Sequence, residues 1–98
     1  MTLEEATQKV SKLAANNGGK VGSKINFKFD EGVIHLDDTV SPTLVSNTES
    51  EAQCSIKMGI DNFGRMLSGD LNPMMAFMGG KMKIEGDKGV AMKLASLF

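Results

Sequence analysis

Three short stretches of strict alternation constrain the fold of this chain more than anything else in it. Ile25, Phe27 and Phe29 alternate with Lys24, Asn26 and Lys28. Cys54, Ile56 and Met58 alternate with Ser55 and Lys57, and Met82 and Ile84 alternate with Lys81, Lys83 and Glu85. A period of two puts apolar side chains on one face and polar ones on the other, so each stretch predicts a strand with a single buried face. Val33-Ile34-His35-Leu36-Asp37 follows the first stretch after the turn Asp30-Glu31-Gly32 and predicts its hairpin partner. Thr43 to Thr48 is a further strand candidate, supported only by Leu44 and Val45.

Helical spacing fills the intervals. Thr2-Leu3-Glu4-Glu5 has the hydroxyl and carboxylate of a capping box, and Leu3, Ala6, Val10, Leu13 and Ala14 then recur on one face until Asn16-Asn17-Gly18-Gly19. Ile60, Phe63, Met66 and Leu67 mark a second helix, with Asp61 as the expected N-cap and Ser68-Gly69 as the stop. Asn72-Pro73 opens a third, Met74-Met75-Ala76-Phe77-Met78, which is apolar on every side and so predicts deep burial or a greasy neighbour. Gly86-Asp87 caps a closing helix from Lys88 to Phe98, with Val90, Ala91, Leu94, Leu97 and Phe98 on its apolar side. An antiparallel hairpin, and helices inserted before the last strand, predict one α+β domain over residues 1–98 rather than a doubly wound parallel sheet.

A chain of 98 residues buries a modest share of its surface, so interior volume given to a cavity would cost stability. The net charge is −1, with five lysines against seven acids in residues 1–50 and six basic against five acidic residues after them. No concentrated basic face is present to neutralise phosphates, and Trp and Tyr are absent, which argues against nucleic acid as a partner. The single Cys54 excludes an intramolecular disulfide. The opening residues Met1 to Glu5 have neither the basic nor the apolar region of a signal peptide, and the end Ser96-Leu97-Phe98 differs from a Ser-Lys-Leu peroxisomal address. A cytoplasmic protein is the expectation.

Candidate chemistry is sparse. His35 stands in an alternating strand and reads as an ordinary strand residue; with one histidine and one cysteine, a structural zinc site would need carboxylates to complete it. Cys54 falls on the apolar parity of its strand, where a buried thiol is the default. Asp30, Glu31, Asp37, Asp38, Asp61, Asp70 and Asp87 fall at turns and helix starts, where capping explains them. Gly79-Gly80-Lys81 to Lys88-Gly89 lacks the spacing and the Gly-Lys-Ser/Thr of a phosphate loop, and its glycines bracket a strand. No catalytic constellation, metal set or cofactor motif emerges. Six of the eight methionines fall between Met58 and Met82, and adaptable thioether side chains suit surfaces that accept ligands of varied shape.

Taken together, Asp61-Asn62-Phe63, Leu67-Ser68-Gly69-Asp70-Leu71-Asn72-Pro73, Ala76-Phe77-Met78-Gly79-Gly80-Lys81-Met82-Lys83-Ile84-Glu85-Gly86-Asp87 and Ala91-Met92-Lys93-Leu94 resemble the sterol carrier protein type 2 (SCP-2) family of lipid-binding domains. The resemblance implies a five-stranded, mostly antiparallel sheet with helices on one face and an apolar tunnel between them. It also implies a non-catalytic carrier of long-chain fatty acids, acyl-coenzyme A (acyl-CoA) esters or sterols, with transient membrane contact. Carried over by position, the tunnel is lined by Ile56, Met58, Phe63, Met66, Leu67, Met74, Met75, Phe77, Met78, Met82, Ile84, Val90, Leu94 and Leu97. The alternative is an interaction or dimerisation module that uses the Met74–Met78 face.

Overall fold

The first hairpin turns at Asp30-Glu31, where Phe29 pairs with Gly32. The computed structural model describes residues 1–94. In chain order the elements are α1 (Leu3–Asn16), β1 (Lys24–Phe29), β2 (Gly32–Asp37), β3 (Leu44–Ser46), β4 (Cys54–Met58), α2 (Ile60–Leu67), α3 (Pro73–Met78), β5 (Met82–Gly86) and α4 (Lys88–Leu94). The five strands make one sheet in the order β3-β2-β1-β4-β5. Only β1 and β4 pair in parallel; the other three pairings are antiparallel.

Register converts the alternation into continuous rows. Val45, Leu36, Ile25 and Cys54 stand side by side across the sheet, and Ile34, Phe27, Ile56 and Ile84 form the next row. These residues share one hydrophobic core with the inward faces of the helices. α1 contributes Ala6, Val10 and Ala14 and packs on β2, β3 and α2. α2 contributes Ile60, Phe63 and Met66, and the Phe63 ring sits 5.1 Å from that of Phe27 and 5.0 Å from that of Phe29, centroid to centroid. α3 rests on β5, and α4 on β4 and β5, so these two helices cover that edge of the sheet.

The opposite face differs from its expected exposure. Asn26 is buried there together with His35, its cross-strand partner. The parallel pairing is responsible, because the chain must cross from the β3 edge to β4, and residues 47–53 do so over this face. Asn26 Nδ2 donates to the Ser50 carbonyl at 2.7 Å, which orients the amide so that Oδ1 accepts from His35 Nδ1 at 2.6 Å. Asn47 ties the same segment to the Val33 carbonyl and the Thr7 hydroxyl, and Lys28 meets Glu49.

The helix caps show one further difference. Thr2 and Glu5 form the expected capping box on α1, and Asn72 caps α3 through Met74 N. α2, however, is capped two residues before the expected Asp61, with Gly59 as N-cap and no side-chain cap bond. Ile60 is pulled into the core as the first helical residue, which leaves Asp61 exposed in the first turn beside the Met1 ammonium at 3.2 Å.

Asp38 locks the connection from α1 to β1. Its carboxylate accepts from Gly19 N at 2.8 Å, Val21 N at 2.9 Å, Gly22 N at 2.8 Å and the Thr43 hydroxyl at 2.6 Å. The three amides converge because Gly19 and Gly22 take φ of +85° and +65°, a region closed to most side chains. Burial alone would push this carboxyl up, but the bonds from Thr43, Gly19, Gly22 and Val21 outweigh burial and hold it below its ordinary 3.8.

A carboxyl depressed on folding stabilises the fold above its unfolded value, and that contribution fades as pH falls through the folded one. Thermal melts of wild type and Asp38→Asn should therefore differ by about 2 kcal/mol at neutral pH. The gap should close as the pH is taken below 3.8. An unchanged gap in acid would show that shape rather than charge matters at this site. Asn26→Ala strands the His35 Nδ1–H and the Ser50 carbonyl beneath the crossover, and urea unfolding should register a loss of about 1–3 kcal/mol.

Candidate functional site

A cleft opens where the sheet edge formed by β4 and β5 meets α2, α3 and α4. Ile56 comes from β4, Met82 and Ile84 from β5, and Met66 from α2. Pro73, Met74 and Phe77 come from α3, and Lys88, Ala91, Met92 and Leu94 from α4. Local rules explain why these side chains meet. Ile56 and Ile84 are direct cross-strand partners on the helix-facing side, and Met82 faces the same way two residues earlier. Pro73 starts α3 without losing an intrahelical bond, and the Asp87 carboxylate starts α4 by accepting from Gly89 N and Val90 N.

The cleft encloses about 140 Å³. That resembles the volume of a dry engineered cavity of about 150 Å³ that takes up benzene. The expected tunnel through the domain is thus a short cleft, because Phe63 and Met66 fill the space beneath α2. Among the described residues, Lys88 is the one ionisable side chain in its wall. Among the described residues, no three His, Cys, Asp or Glu side chains gather as a metal site.

Of the expected lining residues, Ile56, Met66, Met74, Phe77, Met82, Ile84 and Leu94 do face the cleft. Met58, Phe63 and Val90 are buried in the solid core, and Leu67 packs against its margin, all away from the cleft wall. Met75 and Met78 project into solvent, and Ala76 is the only buried residue of α3. Leu97 lies outside the described residues, as does the end of the closing helix. Pro73, Lys88, Ala91 and Met92 were not anticipated. Lys88, Ala91 and Met92 share a face at spacings of three and four, but a search for apolar positions passes over a lysine whose stem contributes the contact.

The two candidate reactive groups lie on opposite sides of the sheet. Cys54 stands in the inner row beside Ile25, whereas His35 stands in the outer row beside Asn26. Burial pushes the Cys54 thiol up, and the negative charge of Asp87 adds to the shift, so it stays protonated at neutral pH. No helix among the described residues is long and apolar enough to cross a membrane.

Comparison with known proteins agrees with this architecture. The model of the SCP-2 sterol transfer family matches residues 2–98. Sterol carrier protein 2 of Homo sapiens is 30% identical over 105 residues, covering 99% of this chain but 19% of the human protein. The chain thus spans about a fifth of the length of that relative. Among solved structures, the apo sterol carrier protein 2 from Yarrowia lipolytica superposes with a TM-score of 0.73 at 19% identity, covering 95% of this chain and 80% of that one. Palmitated SCP2L2 from Aedes aegypti gives 0.69 at 20% identity, with 99% and 94% covered. The helix-covered five-stranded sheet and the match along nearly all of its length place this chain in the SCP-2 sterol transfer family.

Proposed function

We propose that this chain is a non-catalytic lipid carrier that holds the acyl chain of a fatty acid or an acyl-CoA ester in the cleft between β4–β5 and α3–α4. The observation that carries this reading is the chemistry of the wall, where the described residues are ten apolar ones from five elements and Lys88 as the only ionisable group. Such a wall attracts hydrocarbon and offers nothing to activate a nucleophile or move a proton. The Aedes relative was solved in palmitated form, which suits the same class of ligand. A flexible chain fits a cleft of about 140 Å³ more readily than a rigid sterol nucleus does, so the acyl ligand is favoured over the sterol.

Energetics set the length of chain required. Each buried methylene contributes about 0.8 kcal/mol, and association forfeits at least about 4 kcal/mol of translational and rotational freedom. Micromolar binding, about −8 kcal/mol, therefore needs roughly 15 methylenes in contact with protein. The cleft accommodates fewer, so the remainder of a long chain lies along Met74, Phe77 and Met92 at the mouth. Lys88 on the rim is positioned for a carboxylate or phosphate head group.

Two measurements test this reading. In displacement of a fluorescent fatty acid, palmitate and oleate should compete at micromolar concentration, with octanoate at least about a hundredfold weaker. Absence of competition by oleate would overturn the carrier reading. Ala91→Phe places a ring inside the cleft and should weaken palmitate at least about tenfold while leaving the melting temperature unchanged or raised, since it fills empty space. Unaltered affinity in that variant would move the ligand elsewhere.

A further inference from the structure

Strand register brings together lysines that lie far apart in the sequence. On the sheet face turned away from the cleft, Lys28 of β1 stands beside Lys57 of β4, which in turn pairs with Lys83 of β5. Lys81 lies two residues before Lys83, and all four lysines line one depression of about 250 Å³. Asp30 is its only acid among the described residues. No run of basic residues announces this patch, so the expectation that the chain lacks a concentrated basic face is corrected here by strand order.

Like charges directly opposite one another destabilise a sheet, so a row of three lysines needs a reason. Protection of a sheet edge does not supply one, because lysines used in that way sit on edge strands. Lys83 is on the edge strand β5, but β1 and β4 lie inside the sheet. Neighbouring acids do not supply one either. Lys28 meets Glu49 at 3.7 Å, yet among the described residues Lys57, Lys81 and Lys83 have no carboxylate at ion-pair distance. Glu85 shares the face but stands in the next row, beside Ser55, and does not line the depression. α2 also begins here. Gly59 lines the depression and caps that helix without a side-chain bond, so the positive end of the helix adds to the same potential. The first-turn acid of α2, Asp61, is engaged by the Met1 ammonium.

We propose that this depression binds a small soluble anion carrying two or more phosphate groups. The lysine row spans two inter-strand spacings, about 10 Å from the first Cα to the last. Linked phosphate groups therefore reach more of its ammonium groups than a lone phosphate does, each lysine serving as a mobile point charge. A bilayer is a poorer occupant, because none of the large apolar side chains exposed on the described surface lines the depression. A concavity of about 250 Å³ also suits a compact anion better than an extended acidic segment. The sheet itself separates this site from the cleft, since Lys57 and Lys83 alternate with Ile56, Met82 and Ile84. The anion is thus a second ligand, distinct from the head group of a lipid held in the cleft, and the proposal does not rest on the carrier reading.

The experiment is calorimetric titration of the full chain with sodium tripolyphosphate at fixed ionic strength. Wild type should bind it with a Kd below about 1 mM and orthophosphate at least about tenfold more weakly, and added salt should weaken both. Lys57→Gln/Lys83→Gln should lose at least about tenfold in tripolyphosphate affinity while oleate affinity stays at its wild-type value. Lys9→Gln/Lys12→Gln, an equal loss of charge on α1, should bind tripolyphosphate as wild type does. Without anion, the Lys57→Gln/Lys83→Gln chain should melt no lower than wild type, because repulsion within the row is relieved. A lower melting temperature would show that the row stabilises the fold unaided, and would overturn the proposal. So would equal weakening by the α1 pair, which reports net charge alone, or absence of tripolyphosphate binding by wild type. Tighter binding to vesicles containing a phosphoinositide than to its soluble head group would move the anion to a membrane and likewise overturn it.

Discussion

Phe63 is fully buried between Phe27 and Phe29, and the helix layer is organised around that contact. Tilted ring pairs about 5 Å apart add to the area they bury, so α2 is fixed over the centre of the sheet. α1 then packs against α2 and the β3 side, which completes one continuous core. What remains, the β4–β5 edge, is covered by the six-residue α3 and by α4, and the cleft lies between these helices and the sheet. The aromatic contact therefore divides the domain into a solid half and a looser half that contains the cleft.

The parallel pairing of β1 with β4 has the second largest consequence. It sends residues 47–53 across the outer face, and the chain there must satisfy its own polar groups. Asn26, Asn47 and Gln53 do this with side-chain amides rather than with a strand ladder. The sheet is thus covered by helices on one side, and on the other a hydrogen-bonded strap covers the part around Asn26 and His35, while Lys57, Lys83 and Glu85 stay exposed. Asp38 performs the same task at the α1–β1 turn with a carboxylate.

Period-two alternation is a direct consequence of backbone geometry, which is why Ile25-Phe27-Phe29, Cys54-Ile56-Met58 and Met82-Ile84 were legible as strands. The burial of Asn26 was not, because the cover is an aperiodic loop brought there by strand order. Nor could α3 be placed: an all-apolar helix reads as interior, and only tertiary structure shows that Ala76 alone is buried. The cleft was half legible for a related reason. Ile56, Met82 and Ile84 sit on strands whose facing follows from parity, whereas Met58 and Phe63 have the same character but fall on the solid side of the Phe63 contact. Lys88 and Met92 depend on the rotation of α4, which its own sequence does not settle.

The thioethers at the mouth carry a chemical consequence of their own. Met74, Met75, Met78 and Met92 are exposed, while Met58, Met66 and Met82 are buried. Oxidants reach the first group without unfolding the protein, and conversion to sulfoxide turns each flexible apolar side chain into a polar one. The sheet and the aromatic core would be untouched by that change. Peroxide would thus alter the wetting of the entrance before it altered the fold, and a methionine sulfoxide reductase could restore the apolar surface on the intact domain.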